Sequence, residues 1–150
     1  MKFEKFLKNV GAHGQIMKRS NGDRWLICSG VGMRIPVGVE NLLGSGEVPE
    51  KVKQLAEALI NADTDDKVTL VRAYIAKDGK ASDIVRIFGD AYDLAEVGIT
   101  NSDFGLLEKC DVNLAEVEVE DESTGTDNKF LLILDEADEV IGFISGVKEA

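Results

Sequence analysis

The sequence is poor in the residue types that most small catalytic and metal sites require. Its 150 residues include two cysteines and one histidine, His13. Cys28 and Cys110 are far apart and lack C-x-x-C spacing, so we expect neither a disulfide nor a zinc site. Nucleophilic catalysis would have to use His13, and no G-x-S-x-G motif accompanies it. We therefore predict no catalytic residue, no cofactor, and no metal ligand.

Long apolar runs are also missing. No run approaches the ~20 residues that a membrane-spanning helix needs. The first eight residues alternate charge with bulk and lack the apolar core of a signal peptide. With 44% apolar and 30% charged residues, the chain has the composition of a globular protein. We expect a single domain over residues 1–150, a cytoplasmic location and no membrane partner.

Positive charge is scarce, and it is concentrated near the N-terminus. Residues 1–34 carry seven basic and two acidic residues, a net charge of +5. Residues 91–150 carry sixteen acidic and three basic residues, a net charge of −13. A surface of this kind repels phosphates, so nucleic acid is not an expected partner. Opposite ends of two copies could instead attract one another, or both ends could simply be solvated.

One short motif matches a known metal site, but its context is wrong. Residues 135–138 read DEAD, the metal-binding motif of DEAD-box helicases. Those enzymes also need a G-x-x-x-x-G-K-[ST] loop, and this chain has none. We interpret the motif as an acidic turn between two strands.

Two helices are predicted from apolar periodicity. Residues 1–10 form a short basic amphipathic helix with Phe3, Phe6 and Leu7 on its apolar stripe. Eight residues are too few for independent stability, so this stripe must dock on its own domain or on a partner. Residues 49–61 form a second amphipathic helix with Pro49 in its first turn.

The remaining pattern is that of antiparallel strands. Asn21-Gly22 predicts a tight hairpin with positive φ at both residues, and residues 30–36 read as a glycine bend. A further hairpin is predicted to turn at Asp78-Gly79. The run at 130–134 is continuously apolar, as in a strand covered on both faces. The predicted fold class is α+β, mainly antiparallel hairpins or a meander, forming a sandwich or a partly closed barrel with the two helices.

A carboxylate face marks one predicted strand. Glu116, Glu118 and Glu120 alternate with apolar residues, so the three side chains share one face. With Phe3, Phe6 and Leu7, they are the candidate interaction residues.

Three further stretches characterise the whole chain: residues 3–7 (FEKFL), residues 21–25 (NGDRW) with 30–32 (GVG), and residues 138–143 (DEVIGF). With these stretches, the chain resembles small acidic accessory and structural proteins of tailed bacteriophages and prophages. The resemblance implies a structural or assembly role, without enzymatic activity. It also implies self-association or docking to other phage structural proteins, in the bacterial cytoplasm or in the virion.

Three functional hypotheses follow. The first is an oligomerising structural or assembly protein. The second is a metal-dependent hydrolase that uses Mg²⁺ or Ca²⁺ bound by carboxylates of the acidic turn and the glutamate face. The third is a small acidic adaptor that binds a basic protein through Glu116, Glu118 and Glu120.

Overall fold

A computed structural model describes residues 1–39, 46–75, 84–90, 95–121 and 126–147. The helices in these ranges are α1 (Phe3–Val10), α2 (Glu50–Ile60) and α3 (Asn101–Phe104), with a 3₁₀ turn at Gly11–His13. The strands are β1 (Gln15–Lys18), β2 (Arg24–Cys28), β3 (Val31–Arg34), β4 (Gly46–Glu47), β5 (Lys67–Ile75), β6 (Ile84–Gly89), β7 (Glu96–Thr100), β8 (Leu114–Asp121), β9 (Thr126–Leu134) and β10 (Val140–Ser145). No helix in the described ranges is long and apolar enough to cross a membrane.

The strands form one mixed sheet in the order β4-β1-β2-β3-β10-β9-β8-β5-β6-β7. Nine of them are antiparallel to their neighbours, and the two-residue β4 adds in parallel to β1. The sheet is not closed. The predicted α+β class, the antiparallel sheet and both predicted helices are confirmed.

Strand β9 is the centre of the fold because its side chains supply two cores. Leu131 and Ile133 point to one face, and Phe130, Leu132 and Leu134 point to the other. This arrangement confirms the prediction of a strand covered on both faces, and it explains why the run contains no polar residue.

Each face of the sheet has its own cluster of buried apolar side chains. The first core cluster lies between α1, β7 and the central strands, and it includes Phe6, Val10, Leu26, Met33, Val97, Ile99, Leu131, Ile133 and Ile144. The second core cluster lies under α2, and it includes Met17, Trp25, Ala56, Leu59, Phe130, Leu132, Leu134 and Phe143.

The apolar stripe of α2 covers the second core cluster. Ala56 and Leu59 are buried, while the rest of the stripe is partly buried against the same cluster. The solvent side of the helix is tied to the sheet, because Arg19 at the end of β1 donates through Nε to Glu57 Oε1 at 3.1 Å. A second nitrogen of Arg19 donates to Glu57 Oε2 at 3.2 Å. This two-point pairing fixes the helix across the sheet.

The two tight turns differ from the prediction. At Asn21-Gly22 only Gly22 has positive φ, and the Asn21 side chain accepts a hydrogen bond from the Asp23 amide instead. Within the described ranges, two consecutive positive φ values occur at the Ser29-Gly30 turn, at 50° and 79°. It joins β2 directly to β3, so residues 31–34 form a strand and the predicted glycine bend is restricted to Ser29-Gly30.

The other boundaries follow the predicted pattern closely. Strand β8 runs to Asp121 and strand β9 begins at Thr126, so the apolar run predicted at 130–134 is the second half of a longer strand. The predicted turn at Asp78-Gly79 lies outside the described residues.

Gly32 in β3 makes room for an aromatic ring. It lies opposite Phe143 of β10, and a Cβ placed on Gly32 would lie 2.3 Å from Phe143 Cζ. The ring of Phe143 therefore covers the glycine backbone, and it also stacks on Trp25 with 5.9 Å between ring centroids. An added methyl group would force this aromatic pair to move.

We expect Gly32→Ala to lower the free energy of unfolding by about 1–3 kcal/mol, the usual loss for an overpacked core. Urea denaturation would measure it. Because the clash is with the ring of Phe143, the loss caused by Gly32→Ala should at least halve in a Phe143→Leu background. If Gly32→Ala lowers the free energy of unfolding equally in the parent protein and in Phe143→Leu, the ring of Phe143 is not what the added methyl group meets.

Candidate functional site

The three glutamates of β8 share one face, as predicted, but they differ in exposure. Glu118 and Glu120 are exposed, whereas Glu116 is only 7% exposed. The alternate residues point to the second core cluster. The carboxylate face therefore runs from a buried end at Glu116 to a solvated end at Glu120.

Burial raises the pKa of Glu116 above its ordinary value. The ammonium of Lys129 opposes this rise, and the carboxylates of Asp66, Glu118 and Asp90 add to it. The Glu116 carboxylate accepts no hydrogen bond from any described residue. The buried carboxyl thus lies in a mainly negative surrounding with one nearby cation.

A cleft of about 340 Å³ is adjacent to this face. Its residues come from β5, β6, β7, β8, β9 and the segment after β10: Tyr74, Ile87, Glu96, Val97, Gly98, Glu118, Asp127, Asn128, Lys129, Gly146 and Val147. Two backbone hydrogen bonds hold the last wall in place. Gly146 N–H donates to Lys129 O at 2.7 Å, and Val147 N–H donates to Gly98 O at 2.8 Å.

The charges in the cleft are unevenly paired. The Glu96 carboxylate pairs with Arg72, and Lys129 Nζ donates to the backbone oxygen of Glu96 at 3.1 Å. Glu118 and Asp127 make no side-chain hydrogen bond or ion pair with any described residue. Among the described residues, the cleft therefore contains two carboxylates without a bonded cation. Its one lysine, Lys129, bonds a neutral backbone oxygen and is the cross-strand partner of Glu118.

The candidate residues of α1 lie against the protein's own core. Phe6 is 3% exposed within the first core cluster, and Phe3 and Leu7 are partly buried against it. Lys2 N–H donates to Leu106 O at 2.8 Å, which anchors the start of the helix. The apolar stripe is thus used within the chain, and the lysines of α1 remain exposed on its outer side.

The acidic turn at 135–138 uses its carboxylates to hold its own shape. Asp135 Oδ1 accepts hydrogen bonds from the amides of Ala137 and Glu139, both at 2.9 Å. Hydrogen bonds from Asn113 and Lys67 lower the pKa of Asp138. Among the described residues, no group of three or more His, Cys, Asp or Glu side chains could hold a metal ion.

The remaining candidates for chemistry do not form a site with one another. His13 is exposed in the 3₁₀ turn. Cys28 is partly buried and Cys110 is exposed, and both are free thiols. The Cys28 sulfur lies 3.7 Å from Ser29 Oγ.

Sequence reasoning identified only one lining residue of the cleft, Glu118. Lys129, Glu96 and Val147 were missed because each is unremarkable in its own strand or loop. Only the folding of β7 and the segment after β10 against β9 brings them together. The alternation along β8 was the one usable signal.

We expect Phe6→Ala to lower the free energy of unfolding by about 3–5 kcal/mol, since it removes a ring buried in the first core cluster. Lys8→Ala, on the exposed side of the same helix, should change it by less than about 0.5 kcal/mol. Urea denaturation would compare the two variants. Similar small changes in both would indicate that α1 is not docked on this core.

We expect Glu116→Gln to raise the melting temperature at pH 7. A carboxyl whose pKa is higher in the folded than in the unfolded state is ionised at neutral pH at a cost to stability, and glutamine removes that cost. The gain should disappear below pH 4.5, the ordinary pKa, where Glu116 is protonated in both states. Thermal unfolding at several pH values would measure this.

Glu120→Gln is the matched control, because Glu120 is exposed on the same face of β8. At every pH tested, the melting temperature of Glu120→Gln should stay close to that of the parent protein. Destabilisation by Glu116→Gln at pH 7 would contradict the assigned direction of the shift.

Comparisons with protein-family models, with curated proteins and with solved structures gave no match to this chain. Its function must therefore be inferred from its own residues and contacts.

Proposed function

We propose that this protein is a non-enzymatic structural or assembly protein that acts by self-association. The observation that supports this proposal best is the exposed apolar strand β5. The resemblance to phage accessory proteins extends the proposal to docking on other virion components, in the bacterial cytoplasm or the virion. No membrane or nucleic acid is part of this function.

Strand β5 is unusual because it exposes apolar side chains along an edge that no described strand covers beyond Val68. On one side it pairs with β6 from Thr69 to Ile75. On the other side, its pairing with described residues is limited to β8, at Lys67 and Val68. Leu70, Val71, Tyr74 and Ile75 are all exposed, from 45% to 60%. A long apolar strand with unpaired amides and carbonyls favours addition of another strand.

A second copy of the chain is the partner that fits this edge best. Two β5 strands related by a twofold axis would pair antiparallel, and each would offer the same surface to the other. Arg72 is the only charged residue between Val68 and Ile75, and it already pairs with Glu96. Pairing would therefore bring together apolar side chains without an unpaired charge at the axis.

Charge polarity would steer contacts beyond the strand edge. The lysines of α1 are exposed in the basic region, residues 1–34. Glu118, Glu120 and Asp127 are exposed in the acidic region, residues 91–150. Opposite charges of this kind raise association rates and set orientation more than they raise affinity. The apolar surface of β5 would supply the affinity.

We expect the parent protein to be oligomeric and the double variant Leu70→Lys/Ile75→Lys to be monomeric, because lysines on an edge strand prevent its pairing. Size-exclusion chromatography with light scattering would give both masses, at low and high salt. Val112→Lys is the control: Val112 is 73% exposed and lies outside β5, so its substitution should leave the mass unchanged.

Circular dichroism should show the same fold in all three proteins. A monomeric parent at about 0.1 mM and both salt concentrations would contradict self-association through β5. An oligomer that persists in the double variant would place the contact elsewhere. A salt-dependent mass would support the contribution of the two charged regions.

A further inference from the structure

One edge of β7 has no neighbouring strand among the described residues, because β7 is the last strand of the sheet. Open edges of this kind attract further strands unless something covers them. The cover here is the segment that follows β10. We call Gly146 and Val147 the strap, since they bond to β9 on one side and to β7 on the other.

Two backbone hydrogen bonds hold the strap. Val147 N–H donates to Gly98 O at 2.8 Å, and Gly146 N–H donates to Lys129 O at 2.7 Å. A Cβ on Gly146 would lie 2.7 Å from Val97 Cγ2, so glycine allows the strap to lie close against β7. Both strap residues are only half-buried, and both line the cleft of about 340 Å³. The strap thus covers the edge without being part of either core cluster.

The outward-facing backbone of β7 is centred on Gly98. Along an antiparallel strand, the N–H and C=O of one residue point to the same side, and successive residues alternate between the two sides. Gly98 O bonds the strap and Glu96 O accepts from Lys129 Nζ at 3.1 Å, so both residues turn these groups away from β6. The same alternation places the backbone groups of Thr100 on the outer edge. Glu96, Gly98 and Thr100 therefore carry the groups with which a further strand would pair.

This edge is complementary to itself. An antiparallel pair of β7 strands with its twofold axis at Gly98 places Glu96 opposite Thr100 and Val97 opposite Ile99. The outward-facing residues of the two copies lie in register, because they are symmetrical about Gly98. Glu96 is the one charged residue of β7, and it meets a threonine rather than its own copy. A second copy of the chain is therefore the partner that fits this edge.

We propose that the outer edge of β7 is a second association surface, that its partner is β7 of another copy, and that the strap keeps it closed. The consequence for assembly rests on the proposed self-association through β5. Pairing at β5 and pairing at β7 use different strands, so a chain with both edges open joins two neighbours and extends into an open row. While the strap is in place, growth stops at the pair formed by β5.

Val147→Pro weakens the strap, because proline lacks the N–H that Gly98 O accepts. Val147→Ala is the matched control, since it also replaces the side chain but keeps the N–H. Both substitutions are made in the Leu70→Lys/Ile75→Lys variant, whose β5 edge is blocked. By size-exclusion chromatography with light scattering, we expect the proline variant to have about twice the mass of the alanine variant, as a twofold pair requires.

Hydrogen exchange, followed by NMR on the ¹⁵N-labelled chain, locates the contact. In the pair, Gly98 N–H donates to Gly98 O of the other copy, so its exchange in the proline variant should be slower at high than at low protein concentration. The alanine variant should show no such dependence. A chain that ends at Ser145 removes the strap by another route, and it should reproduce the mass and the exchange of the proline variant.

Equal masses for the proline and alanine variants, with circular dichroism showing that both are folded, would reject β7 as an association edge. A dimer in which the exchange of Gly98 does not depend on concentration would reject it as well, because the contact then lies elsewhere. If neither the proline variant nor the shortened chain folds, the strap belongs to the structural core and the proposal is wrong.

The comparison also separates this proposal from the one for β5. A monomeric parent protein contradicts association through β5, but the expected difference between two variants with β5 already blocked stays the same. An oligomeric parent protein with equal masses for the two variants supports β5 and rejects β7.

Discussion

The burial of β9 on both faces is the constraint on which the rest of the structure depends. Its five apolar residues at 130–134 contribute to both core clusters, while its backbone pairs with β8 and β10. Because no side chain of this run meets water, polar residues lie only before and after it, in the first half of β9 and in the turn that follows Leu134. The acidic turn at 135–138 is the result at one end, and its carboxylates serve the turn's own amides and two neighbouring side chains.

The exposed strand β5 and the glutamate face of β8 lie on two strands that meet at one short junction. Strand β5 follows β8 for only two residue pairs before it continues with β6 alone. Past this junction β5 leaves apolar side chains exposed along an edge that no described strand covers. Strand β8 carries its glutamates from the buried Glu116 to the solvated Glu120. A short strand pairing thus leaves the exposed apolar side chains of β5 and the glutamates of β8 on either side of the same junction.

Local patterns were sufficient to predict the fold class, because helices and strands of this chain keep their periods. The apolar stripe at 49–61 and the continuous run at 130–134 both appear where the sequence indicated. Turn chemistry was less informative. Asn21 keeps negative φ because its side chain can bond the Asp23 amide, and the Ser29-Gly30 turn was recognised only as a bend.

Most of the candidate site could not be predicted from the sequence, because its burial and contacts depend on strands that are distant along the chain. Alternation placed Glu116, Glu118 and Glu120 on one face, yet nothing in the sequence distinguishes the buried Glu116 from the solvated Glu120. Their difference arises from strands that are distant along the chain. The same holds for α1, whose stripe predicted docking but not the surface that receives Phe6.

The pairing of β3 with β10 has a consequence for how the chain folds during synthesis. Gly32 and Phe143 are partners across a separation of about 110 residues, and contacts of this range slow folding. At ribosomal rates of about 5–20 residues per second, β10 is synthesised roughly 5–20 s after β3. Throughout this interval the meander of β1, β2 and β3 lacks β10, the strand that pairs with β3 and stacks Phe143 on Trp25. Folding of a nascent chain of this topology is therefore completed only after β10 has been synthesised.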